Sequence, residues 1–261
     1  MFIVNHGKKI CYWSKGKLGT TTLRLMVPDI LHDHGPWEIL DQHTSDDVTK
    51  INLSSFKSYD FYCPIRNPRS RYYTGVIEDV FNFYRSITGN KSSYDLNDLT
   101  VETGWHSTID YMYQITVYDM SLGLSYHVSN WLYEIYYLTR VNPNVHVFEM
   151  SEWNNHYKTV YNIENMEVIN SNPNKIKQYV QNFYEGDKFP YLKGLFNNYI
   201  GIEEEFYSKI KNILPNGISG KLVLSNQDIK DFRALVERMA NPFVPSSRSV
   251  LLNRMEDVLK I

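Results

Sequence analysis

Two short stretches carry side chains whose types and order suit one chemistry, the binding of tetrahedral anions. The first is Ser14-Lys15-Gly16-Lys17-Leu18-Gly19-Thr20-Thr21-Thr22-Leu23, directly after the apolar run Ile10-Cys11-Tyr12-Trp13. A glycine loop that opens a helix offers backbone N–H groups and the positive end of the helix dipole to an anion. Lys17 would add a charge, and Thr20, Thr21 and Thr22 would add hydroxyl donors. The nucleoside-triphosphate pattern G-x-x-x-x-G-K-[ST] needs lysine after its second glycine. Here Lys17 precedes Gly19, and Gly16 stands only three residues before Gly19, so that pattern fails. The competing reading is a plain turn with a threonine-capped helix.

The second stretch is Ile65-Arg66-Asn67-Pro68-Arg69-Ser70-Arg71-Tyr72-Tyr73-Thr74-Gly75. Arg66 would leave a strand end, and the hydroxyl of Thr74, two helical turns on, would turn back toward it. An arginine fork and a hydroxyl make a clamp for a separate phosphate. A surface cluster of Arg66, Arg69 and Arg71 is the alternative. Cations at a helix start oppose the dipole, which favours an anion there.

Both stretches need a scaffold that brings strand ends together. Residues 8–14, Trp37–Leu40, Tyr59–Ile65 and Asn144–Glu149 read as strands. Residues 20–33, from Pro68 to about Ser86, and about 119–139 read as helices, with Pro68 at the first-turn position that proline tolerates. A further helix start is expected at Ser45-Asp46-Asp47, and a last helix over 250–260. Strands alternating with helices predict an α/β fold, a parallel sheet flanked by helices, with anions bound outside the carboxyl ends of its strands. Residues 88–118 are polar and turn-rich, suited to acceptor-binding loops.

The chain has 261 residues, enough to bury a large core, and is read as one domain over 1–261. Its 27 basic and 29 acidic side chains give no overall field toward nucleic acid or a membrane surface. Cys11 and Cys63 lie in apolar stretches and are expected to be unpaired small hydrophobes. With no secretory leader pattern and no long apolar run, the expectation is a soluble, cytoplasmic protein without a membrane span. Alanine occurs only at Ala234 and Ala240 while tyrosine reaches 21, a bias that looks like AT-rich coding sequence.

Lys17-Leu18-Gly19-Thr20-Thr21-Thr22-Leu23 resembles the 5'-phosphosulfate loop of the sulfotransferases, K-x-G-T-T-x-L. Arg66-Asn67-Pro68 with Thr74 is similar to their 3'-phosphate motif, R-[ND]-P with a serine eight residues after the arginine; threonine here keeps the hydroxyl. The resemblance covers residues 8–75. It implies a phosphate-loop sulfotransferase architecture with 3'-phosphoadenosine 5'-phosphosulfate as donor and a hydroxyl acceptor, a carbohydrate among the candidates. The family's glycine-containing C-terminal donor loop has no match, and Ser246-Ser247-Arg248 is the stand-in, with Arg248 a donor contact.

Such a reaction needs an in-line acceptor, charge stabilisation on the leaving oxygen and a base. Lys17 is the charge partner. His43, after the second strand, is the base, similar to the histidine ahead of R-N-P in the cytosolic branch of that family; a turn histidine is the alternative. Glu38, Asp41 and His106 stand behind it. His32 and His34 are read as solvated, and His146 as structural. No Cys/His spacing suits zinc, and this chemistry requires no metal. Trp105, Tyr111, Tyr113, Tyr126 and Trp131 are either an acceptor platform or core, with core favoured. The rival functions are a phosphate-loop kinase and a non-catalytic nucleotide-binding protein of the same fold.

Overall fold

The computed structural model describes residues 1–16, 18–20, 23, 35–41, 51–88, 131–162 and 174–239; of residues 41, 80–88 and 174–176 only the backbone is described. Six strands form one sheet: β1 (Phe2–Asn5), β2 (Ile10–Trp13), β3 (Trp37–Asp41), β4 (Asp60–Ile65), β5 (Val145–Glu149) and β6 (Ser219–Lys221). Their spatial order is β3-β1-β2-β4-β5-β6. Six α-helices are described: α1 (Pro68–Thr88), α2 (Leu132–Val141), α3 (Trp153–Tyr161), α4 (Asn174–Glu185), α5 (Pro190–Ile213) and α6 (Asn226–Met239).

The α/β class is as expected, but the sheet is mixed rather than parallel. β2 pairs with β4 and β4 with β5 in parallel, while β1 is antiparallel to both β2 and β3, and β6 is antiparallel to β5. The reason is local. Phe2–Asn5 was not read as a strand, and the short turn after it returns the chain directly into β2, which only an antiparallel pair allows. β1 then separates β2 from β3. Because two antiparallel steps restore direction, β2, β3, β4 and β5 all end at the same edge of the sheet.

Strands buried on both faces need apolar residues at every position. Phe2, Val4, Cys11, Trp13, Phe61, Cys63, Ile65, Val145 and Val147 face one core with α2, α5 and α6. Ile3, Tyr12 and Phe148 face the other, where α3 supplies Trp153, Tyr157 and Tyr161. A third, aromatic core joins α1, α4 and α5 through Tyr72, Tyr73, Phe183, Tyr184 and Phe196. Cys11 and Cys63 are free and buried, as expected, and burial pushes both thiols far up. Trp131 is core. Among the described residues no helix is long and apolar enough to cross a membrane. The helices expected after Ser45 and over 250–260, and the loops of 89–118, lie outside the described residues.

Candidate functional site

The first stretch leaves β2 and is fixed from three sides. Ser14 Oγ donates to the Leu18 carbonyl at 2.8 Å, and the Leu18 N–H donates to Lys15 O at 3.2 Å, closing the loop on itself. Leu18 is fully buried. Burying such a side chain contributes about 2 kcal/mol, which anchors the loop tip to the core. Gly19 has φ of +74°, and a Cβ there would lie 2.7 Å from Cζ2 of Trp153. Both the backbone and the indole of α3 therefore require glycine. The helix begins at once: Thr20 and Leu23 are helical, and the Leu23 N–H donates to Gly19 O at 2.9 Å. Lys17, Thr21 and Thr22 lie outside the described residues.

Lys15, two positions before Lys17, is committed to the core. Its ammonium meets Glu134 Oε1 of α2 at 2.8 Å, with both side chains buried. The second oxygen of Glu134 accepts from Trp13 Nε1 at 2.9 Å.

The second stretch starts α1 at the end of β4, and each arginine has a different fate. Asn67 caps the helix: its Oδ1 accepts the Ser70 N–H at 3.1 Å, with Pro68 in the first turn. Arg69 is structural, gripping Glu204 at 2.7 and 3.2 Å and reaching Glu185 at 3.3 Å. Arg71, 3% exposed, donates from Nε to Gly16 O at 3.2 Å. That bond ties the two stretches together, since Gly16 belongs to the loop and Arg71 to α1. Arg66 has no carboxylate partner among the described residues, and burial lowers its pKa. Thr74 is buried, and its Oγ1 donates to Ser70 O at 2.7 Å, leaving its oxygen lone pairs free to accept but its proton engaged.

Sequence reasoning missed Lys177 of α4, whose Nζ lies 3.2 Å from Ser70 Oγ. Nothing in the local pattern singles out that lysine. It also missed Glu203 of α5, whose Oε1 accepts the N–H groups of Trp131 and Leu132, each at 3.0 Å, at the start of α2. Its Oε2 makes no hydrogen bond among the described residues, and burial pushes the carboxyl up to about 7.

Of the base candidates, β3 ends at Asp41, which pairs with Phe2, itself opposite Trp13 of β2. The strand thus delivers its carboxyl end to the loop's edge of the sheet. His43 and His106 lie outside the described residues, as do His32, His34 and Arg248. Glu38 sits within β3 opposite Val4 and meets His6 of the β1–β2 turn at 3.0 Å. That turn is at the other end of the sheet, so Glu38 is not brought to the loop.

No protein-family model, curated protein or solved structure matches the chain. The site therefore rests on its own geometry.

A second polar cluster lies on the α3 face. His156 Nε2 meets Tyr12 Oη at 2.6 Å, its ring stacks on Phe148 at 4.5 Å, and His146 stacks on Tyr62 at 5.0 Å. His146, expected to be structural, lies in β5 with Asp60 3.6 Å away. Burial, and then the nearby His146, lower the His156 pKa from 6.5 to about 3. The sign follows from linkage. Between these values the unfolded chain binds a proton that the folded chain does not, so stability falls as pH drops below 6.5, by about 1.4 kcal/mol per unit. Glu203 acts oppositely: the folded chain holds its proton up to about 7 and the unfolded chain to 4.5, so its contribution is lost as pH rises through that window. The two slopes oppose each other in the overlap, and the comparison that isolates His156 is wild type against His156→Gln. From pH 6.5 to 5, wild type should lose about 2 kcal/mol relative to the variant in urea unfolding. Parallel pH profiles would remove the assigned role of His156.

Proposed function

We propose that the chain is a sulfotransferase that moves a sulfuryl group from 3'-phosphoadenosine 5'-phosphosulfate to a hydroxyl acceptor. The observation that carries this reading is the coupling of two anion-suited elements at one sheet edge. Arg71 Nε bonds Gly16 O of the loop, while Arg66, five residues earlier, lacks a carboxylate among the described residues. Two separated anion sites suit a donor with a phosphosulfate at one end and a lone phosphate at the other. A triphosphate needs only one.

In the transfer, the acceptor oxygen bonds to sulfur as the sulfur–oxygen bond to the 5'-phosphate breaks, and the bisphosphate leaves. The chain's part is electrostatic and positional. The loop amides of Gly19 and Thr20, with Thr21 and Thr22, hold the phosphosulfate end. Lys17 stabilises the charge that grows on the bridging oxygen, and Arg66 orients the far phosphate, with Thr74 joining it once its hydroxyl proton turns from Ser70 O. His43 takes the acceptor proton, with Asp41 and His106 as the remaining alternatives; Glu38, held by His6 at the far end of β3, is the weakest. Arg248 is a further donor contact. A soluble, cytoplasmic setting would supply the donor nucleotide.

Thermal unfolding tests the donor class. A ligand that binds only the folded chain stabilises it by about 2.7 kcal/mol at a concentration a hundred times its Kd. Adenosine 3',5'-bisphosphate should raise the midpoint, and ATP with magnesium should not. A rise with ATP and magnesium alone would identify a kinase. A rise with neither would leave the fold without this donor.

A further inference from the structure

We propose that Lys177 is a phosphate-binding residue of this site, acting with Arg66 to select a phosphate monoester in its dianionic form. The proposal rests on the sulfotransferase reading above, and the experiment below separates the two.

Lys177 belongs to no recognised motif; packing brings it to the site. Behind it, α4 is locked against α1 and α5 by rings: Tyr184 lies 5.2 Å from Tyr72 and 5.1 Å from Phe196, and Phe183 packs on Tyr184 at 5.1 Å. This face holds the first turns of α4 over the first turn of α1, where Lys177 Nζ reaches Ser70 Oγ at 3.2 Å. The ammonium's pKa is lowered by burial and then by the charge of Arg66. Lys177, through Ser70, and Arg66, two residues before Pro68, both lie at the amino end of α1, where the dipole already disfavours positive charge.

The nearby carboxylates among the described residues are engaged elsewhere. Glu204 and Glu185 are both engaged by Arg69, and Glu185 also accepts from the Tyr73 hydroxyl. Among the described residues neither Arg66 nor Lys177 has an acidic partner. Among the described residues the fold supplies two carboxylates to Arg69 and none to Arg66 or Lys177, which leaves a two-charge deficit at the amino end of α1. That deficit matches one ligand class. A phosphate monoester, with a second pKa near 6, carries close to two negative charges at neutral pH. A sulfate ester or a phosphodiester carries one and would leave one cation unmatched. The guanidinium fork of Arg66 can take two oxygens, and Lys177 a third as a point charge. Ser70 Oγ, which accepts from Lys177, has its own proton to donate to the same group.

Calorimetry on the full chain tests the assignment with two probes, adenosine 3',5'-bisphosphate and adenosine 5'-phosphosulfate, which lacks the 3'-phosphate. Lys177→Gln keeps hydrogen-bonding capacity and removes charge. It should weaken the bisphosphate about tenfold to a hundredfold and leave the phosphosulfate within about twofold. Lys177→Arg should restore most of the loss. Without ligand, Lys177→Gln should unfold no earlier than wild type, because it removes a like-charge neighbour of Arg66. Equal losses for both probes, or no loss of bisphosphate affinity in Lys177→Gln while Arg66→Ala weakens it, overturns the role of Lys177 and leaves the donor reading standing. A wild-type chain that does not bind the bisphosphate overturns both.

Discussion

Glu134→Ala should destabilise the protein by about 3–5 kcal/mol, the cost of breaking a buried ion pair from one side. Glu134 meets Lys15 Nζ at 2.8 Å and accepts from Trp13 Nε1 at 2.9 Å, and all three side chains are buried. Its removal leaves an ammonium and an indole N–H without these acceptors, and the charge of Arg71 lies within reach of the same carboxylate. Replacing both charged partners should cost much less, because well-packed apolar side chains avoid the desolvation of a buried pair. The matched measurement is urea unfolding of Glu134→Ala beside the Lys15→Met/Glu134→Leu double variant. A single variant within about 1 kcal/mol of wild type would show that the pair does not hold the loop's root. A double variant as unstable as the single one would show that packing, not the broken ion pair, sets the loss.

Lys17→Ala should leave the protein folded and lower sulfuryl transfer by a factor of about a hundred or more, the scale of losing one charge partner in a transition state. The expectation of an intact fold comes from the neighbours of Lys17. Leu18 is anchored in the core, Ser14 closes the loop through the Leu18 carbonyl, and Arg71 holds Gly16. None of these contacts uses the Lys17 side chain. Single-turnover transfer to a set of hydroxyl acceptors, with the unfolding midpoint as control, checks it. Unchanged turnover in a folded variant would take Lys17 out of the mechanism. The contrast with Glu134→Ala is diagnostic: the buried lysine–glutamate pair is expected to set stability, and the lysine two positions later to set rate.

Several parts of this arrangement are legible in the sequence because each is a local signal. β2, β3, β4 and β5 are short apolar runs bounded by turn residues, and the structure places them within one or two residues of their expected limits. Asn67-Pro68 marks the start of α1 because a capping amide and a ring-fixed φ act within one turn. The glycine at position 19 reads as a special backbone position, and its φ of +74° shows why.

What the tertiary structure decided depends on partners distant in the chain. Strand direction is one case. β1 inserts between β2 and β3, and the three-residue β6, Ser219-Gly220-Lys221, has no apolar pattern to announce it; it exists because β5 offers an edge. The three arginines of the second stretch are another. The motif singles out Arg66 but says nothing of what its neighbours do: Arg69 finds Glu204 and Glu185, Arg71 finds Gly16, and Arg66 finds no acid among the described residues. Lys177 reaches Ser70 only because aromatic packing docks α4 on α1. Local pattern fixes where an element begins and which residue type its backbone tolerates, while the net charge at a site is a sum over side chains that meet only after long-range packing.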